Sequence, residues 1–155
     1  MSGPIRLHLT SGGSAITGAG PDGAIECLGF DSSVTTARES RQGLASGRRM
    51  YSPVLVRKRI DRTSPLLLEA LTGNHVLEAR FDFLQPDAPA VAGSVYYTIE
   101  LTAARIVSAR TLVIEPPPGG RPLASAPVEE IGFDFHRITW TYLDGAITHA
   151  DDARP

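Results

Sequence analysis

The run HVLEARFDFLQP, residues 75–86, decides the fold class: Leu77, Ala79, Phe81 and Phe83 alternate with Glu78, Arg80 and Asp82. Strict alternation is the period of a β-strand, whose successive side chains point to opposite faces, so one face is buried and the other charged. After the proline-containing turn QPDAPAVAG (85–93) the pattern returns, with Val95, Tyr97, Ile99 and Leu101 on one face and Thr98, Glu100 and Thr102 on the other. Its continuation through Ile106, Val107 and Val113 is less regular, as expected of a bent strand or of two strands.

Working upstream, DRTSPLLLEALTG (61–73) is the one clear helix signal. Thr63 or Ser64 can cap it, Pro65 suits the first helical position and Gly73 suits the stop. Leu66, Leu67, Leu68, Ala70 and Leu71 surround the helix with apolar surface and Glu69 is its only charge, so burial on more than one side is expected. Before it, Val54, Val56 and Ile60 share one parity, with Leu55, Arg57 and Arg59 on the other, which predicts a strand after Pro53. RQGLASGRRMY (41–51) has two glycines, three arginines and no alternation, and reads as a long loop whose Leu44, Met50 and Tyr51 need cover.

At the N-terminus Ile5, Leu7 and Leu9 alternate with Arg6 and His8 in a first strand. Ser11 to Gly23 reads as an exposed turn or loop, Ala24 to Phe30 as a second strand and Ser32 to Glu39 as a third. EPPPGGRPLASAP (115–127) cannot sit in a central strand. In the last strand the apolar parity changes from Ile131, Phe133 and Phe135 to Ile138, Trp140 and Tyr142. A β-bulge near His136 or Arg137, or a move between two sheets, would reconcile the two halves. From Asp144 onward, DGAITHADDARP is expected to be a flexible tail.

About eight strands and one short helix suggest a mainly β architecture, a β-barrel or two-sheet sandwich carrying a lateral helix. The 155 residues suit one domain, and 15 Gly with 12 Pro fit many short strands better than a helical bundle. A net charge of -2 gives no global attraction to nucleic acid or anionic lipid. No window approaches the roughly 18 apolar residues a bilayer span needs, and no signal peptide is legible, so the expected place is the cytoplasm unless a dedicated apparatus exports the chain. Cys27 stands alone and is expected to be buried, without a disulfide or zinc partner.

No catalytic set, cofactor motif or metal-ligand spacing emerges. There is no Gly-x-Ser-x-Gly elbow, and His8, His75, His136 and His149 form no close ligand pair. Glu129 with Glu130, and Asp151 with Asp152, read as solvated charge, because neighbours in a strand face opposite ways. The phosphate-binding GxxxxGK[ST] loop is absent, and Gly18, Gly20 and Gly23 precede a strand. Arg48, Arg49, Arg57, Lys58, Arg59 and Arg62 form the one conspicuous charge feature. Without a platform of spaced aromatics, it reads as a contact for an acidic surface or as a solvated face in preference to a nucleic-acid site.

Three segments together resemble the Hcp family, the tube subunits of bacterial type VI secretion machines. YSPVLVRKRIDRTSPLLLEALTG (51–73) is similar to that family's strand and lateral helix, HVLEARFDFLQP to the strand that follows, and EEIGFDFHRITWTY (129–142) to its last strand. The segment PIRLHLTSGGSAITGAGPDGAIECLGF (4–30) departs from the Lys/His-rich turn and aromatic pair of many members. The resemblance implies one tube domain over 1–155, homo-hexameric rings stacked head to tail, a contractile sheath, spike and baseplate as partners, and effector cargo. It also implies assembly in the cytoplasm and secretion without a signal peptide; because the chain stops soon after Tyr142, no appended toxin domain of the kind some members carry is expected. Candidate subunit or ring contacts are Leu44, Arg48, Arg49, Met50 and Tyr51 in the loop, and Leu66, Leu67, Leu68, Glu69 and Leu71 on the helix. The alternatives are a phage-like contractile-injection tube and, of a different class, a monomeric ligand-binding β-barrel; an enzyme ranks third.

Overall fold

Alternating apolar residues become paired strands. In the computed structural model, which describes residues 4–38, 45–86, 94–113, 118–119 and 127–153, Ile5, Leu7 and Leu9 line the inner face of β1 (Ile5–Ser11). Leu77, Ala79 and Phe81 line that of β8 (Leu77–Leu84), antiparallel to it with Leu7 opposite Phe81. From β8 the hydrogen-bonded order continues through β9 (Val95–Leu112), β10 (Val128–Asp134), β7 (Val54–Arg59) and β4 (Gly29–Asp31).

The segment 25–31 closes this circuit. Its first half, β3 (Ile25–Cys27), pairs with β1, while its second half, β4, pairs with β7, and Leu28 between them donates its N–H to Arg57 O at 2.7 Å. The result is a barrel filled by side chains, as closure of a small sheet requires. Phe30 meets Phe81 edge-on at 5.0 Å and Phe83 at 5.2 Å, and Phe81 meets Phe133 at 5.8 Å. Cys27 is buried among them, and that burial pushes its thiol up to about 12.

The parity changes in the sequence have one cause. β9 is a single bent strand that serves both halves of the barrel: its first part pairs with β8 and β11 (Arg137–Tyr142), its second with β10. At the bend Ala103 adopts a φ of 52°, its N–H reaches Glu78 Oε1 at 3.3 Å, and the buried positions shift from Ile99 and Leu101 to Ala104 and Ile106. Opposite it, the chain between β10 and β11 moves from one sheet to the other, with His136 N–H donating to Thr102 O at 3.1 Å. The move between two sheets is thus the reconciliation, and a register shift lies elsewhere, at Gly132/Phe133.

Three expectations need correction. Ser11 to Gly23 is not all loop: β2 (Ser14–Ile16) folds back on β1. The Arg41 to Tyr51 segment is not a loop throughout: β6 (Ala45–Tyr51) pairs with β5 (Val34–Arg38) in a separate two-stranded sheet, an arm standing off the barrel. Residues 147–152 are not a tail: β12 (Ile147–Asp152) forms a hairpin with β11 around Asp144 and Gly145, the latter at a φ of 87°.

Helix α1 (Ser64–Thr72) lies on the side of the barrel, with Pro65 in its first turn and Gly73 at its C-cap. Neither residue expected to cap it does so through its side chain. Thr63 Oγ1 bonds Asp61 Oδ1 at 2.5 Å and Ser64 Oγ bonds Glu129 Oε1 at 2.6 Å.

Candidate assembly surfaces

The arm divides its side chains by strand parity. Arg48 and Met50 point away from the barrel and are exposed, Met50 at 58%. Arg49 and Tyr51, on the opposite face, are held by the C-terminal hairpin. Arg49 Nε and Nη2 donate to Asp151 Oδ2 and Oδ1 at 2.7 and 2.9 Å, and the Tyr51 hydroxyl donates to Asp151 Oδ2. The Tyr51 ring also packs edge-on against Phe135 at 5.5 Å. Burial first, then the Asp151 carboxylate, pushes the Tyr51 phenol up to about 12, while the hydrogen bond from Tyr51 and the guanidinium of Arg49 hold the Asp151 carboxyl below its usual range. Leu44 lies outside the described residues.

The basic run is not a patch. Lys58 is completely buried: its Nζ donates to Glu129 Oε1 at 2.5 Å, Asp61 Oδ1 at 3.0 Å, Ser64 Oγ at 3.3 Å and Arg59 O at 2.9 Å. Arg57 pairs with Glu130 at 3.3 Å, Arg62 reaches Thr17 Oγ1 at 3.4 Å, and Arg49 is taken by Asp151. Glu129, expected in solvent, is therefore buried, and Asp151 and Asp152 are paired with Arg49 and Arg137. The Lys58 cluster ties the end of β7 to the start of α1 and to β10. A buried lysine with several acceptors is a structural group, and it is inaccessible to a partner.

On α1 the candidate contacts also divide. Leu67 and Ala70 are buried and Leu71 packs against the core, whereas Leu66 and Leu68 are exposed at 43% and 46%. Glu69 is exposed between them. Val76, just beyond the helix, adds a third exposed side chain at 46%. The chain by itself buries one side of α1 and leaves Leu66 and Leu68 exposed on the two flanks of the other, with Glu69 and Thr72 between them, so burial on more than one side does not happen within a single copy.

The described residues bring together no group of three or more His, Cys, Asp or Glu able to hold a metal. His8 lies 3.3 Å from Asp82, which is itself bonded by Arg80, and His149 stacks on Trp140 at 5.8 Å. Both are structural arrangements. A surface hollow of about 250 Å³ between arm and barrel is lined by Ser33, Val34, Tyr51, Ile138 and Trp140. It has no ionised group aimed into it. No helix among the described residues is long and apolar enough to cross a membrane.

Residues 10–142 match the family described as "Type VI secretion system effector, Hcp". A curated Pseudomonas aeruginosa (strain PAO1) protein named "Major exported protein" is 30% identical over 137 residues, covering 87% of this chain and 78% of its own. Among solved structures, the Hcp1 protein of the E. coli EAEC 042 pathovar has a TM-score of 0.83 at 26% identity, covering 98% of this chain and 99% of its own. The secreted protein Hcp3 from Pseudomonas aeruginosa has a TM-score of 0.74 at 24% identity over 97% of this chain and 100% of its own, a likeness of fold. The match spans barrel, arm, helix and last strands together, and this chain belongs to the Hcp family as a tube subunit of the type VI secretion system.

Proposed function

We propose that residues 1–155 act as one non-catalytic tube domain that closes into six-membered rings, which stack head to tail and are expelled by a contractile sheath behind a spike. The chain is assembled in the cytoplasm, is exported by the machine it belongs to, and carries effector cargo inside the tube. The observation that carries this reading is a pair of exposed surfaces beside the closed barrel: the outward face of the arm at Arg48 and Met50, and the outer side of α1, where Leu66, Leu68 and Val76 are exposed. A ring subunit needs two different, complementary surfaces, because its contacts are heterologous and close by rotation. In this reading α1 makes the contact within a ring and the arm the contact between stacked rings. A filled barrel core and a hollow lined by apolar and hydroxyl side chains but by no charged one favour assembly over ligand binding.

Light scattering of the purified chain over a range of concentrations, with negative-stain imaging, tests this. Closed rings of about six copies with an open centre are expected. A monomer at every concentration would remove the proposal's central claim.

A further inference from the structure

We infer that Asp151 is a positioning residue: the carboxylate of β12 latches the β5–β6 arm to the C-terminal hairpin and fixes the direction in which Arg48 and Met50 point. The arm needs such a latch because it forms a sheet of its own, with its ladder running between its two strands and not onto the barrel. At its base Ser52 N–H donates to Ser33 O at 3.1 Å and Ser33 Oγ donates to Ser52 Oγ at 3.0 Å. A two-stranded sheet that reaches the core through Tyr51 alone among its described side chains is marginal in water, so its orientation depends on what holds those side chains.

Asp151 is placed to do this. It lies directly opposite Ile138 in the β11–β12 pairing, and Ile138 is buried, so the carboxylate rises from the face of the hairpin that meets the arm. It accepts both arms of the Arg49 fork and the Tyr51 hydroxyl, and Tyr51 in turn is seated on Phe135. A bidentate guanidinium fixes an angle as well as a distance, which a single point charge does not. Asp152, the next residue, faces the other way and pairs with Arg137 of its own hairpin at 2.6 Å. The two neighbouring acids are similar in chemistry and differ in what they hold: one binds arm to hairpin, the other binds hairpin to itself.

That difference supplies the test. Backbone amide hydrogen exchange is measured on the full chain for the parent, Asp151→Asn, Asp152→Asn, Tyr51→Phe and the Asp151→Asn/Tyr51→Phe double variant. Asp151→Asn is expected to speed exchange in β6 by about tenfold or more while β8 and β9 keep parental rates, because two charge-assisted hydrogen bonds and one from a phenol are weakened together. Tyr51→Phe is expected to have a smaller effect, and the double variant to match Asp151→Asn alone, since the hydroxyl acts on the arm through Asp151. Parental rates in the arm of Asp151→Asn would overturn the inference. So would equal loosening of the arm by Asp152→Asn, or a rise spread evenly over β8 and β9. The link to stacking rests on the tube reading: rings of Asp151→Asn should stack less than parental rings. A parent that forms no rings would defeat that reading, while the exchange comparison would still decide the latch.

Discussion

Replacing Lys58 by methionine leaves the Glu129 carboxylate buried with only the Ser64 hydroxyl at 2.6 Å. Removing one partner of a buried ion pair costs about 3–5 kcal/mol, a large share of a domain's total stability, whereas replacing both partners by apolar residues is often close to neutral. Lys58→Met should therefore lower the urea midpoint sharply, and Lys58→Met with Glu129→Leu should recover much of the loss. A single variant within about 1 kcal/mol of the parent would mean that the pair is solvated in solution. The same site shows what strand parity could have revealed. Lys58 shares parity with Val54 and Val56, and Glu129 with Ile131 and Phe133, so alternation alone points both inward, and β7 and β10 set them opposite each other. Counting charges along the chain obscured this, because a run of cations in sequence alternates faces in a strand. Gly18 is a second place where one atom matters: a Cβ there would lie 2.5 Å from Ala24 O and 2.9 Å from Ile25 Cα. Backbone cannot swing aside, so Gly18→Ala should cost about 1–3 kcal/mol by overpacking, read as a lowered melting temperature.

At the scale of elements, the entrance to α1 hangs on Asp61. Burial disfavours its charge, but hydrogen bonds from Thr63 and the Lys58 ammonium outweigh this and hold the carboxyl below its ordinary 3.8. A folded-state value below the unfolded one gives a contribution that is present above the ordinary carboxylate range and lost as pH falls through the lowered value. Asp61→Asn should destabilise the protein at pH 7 and reduce the loss of stability below about pH 4, measured by urea unfolding from pH 7 down to pH 2.5. An unchanged acid limb would assign the acid sensitivity to other groups. Elements that bury a face, such as β1, β8 and the first half of β9, were legible from alternation, and α1 from its proline and glycine. The arm was not, because Arg48, Arg49 and Met50 are all exposed and only Tyr51, at the end of β6, packs on the core, so no apolar alternation marks the strand. The β12 hairpin did leave a signal in Asp144-Gly145, a pair suited to the positive φ of a tight turn, but the polar residues that follow masked the strand.

At the scale of the whole molecule, the two exposed surfaces should fail separately if they serve different contacts. The barrel circuit itself is closed, so association through side chains is tested first, at the exposed Leu66, Leu68 and Val76 of the α1 region and at Met50 on the arm. Leu66→Glu with Leu68→Glu places two charges on the contact assigned to ring closure, where burial of an unpaired carboxylate is prohibitive. Light scattering should show that variant as a monomer at concentrations where the parent forms rings. Arg48→Glu with Met50→Ser alters only outward-facing arm residues and spares Arg49 and Tyr51, so the latch stays intact. It should yield rings of parental mass that no longer stack into tubes under conditions where parental rings do. Opposite outcomes, rings lost with the arm and stacking lost with the helix, would exchange the two assignments. If both variants assemble as the parent does, neither surface is a contact, and the apolar tip of the β11–β12 hairpin at Tyr142, Leu143 and Ile147 becomes the next surface to alter.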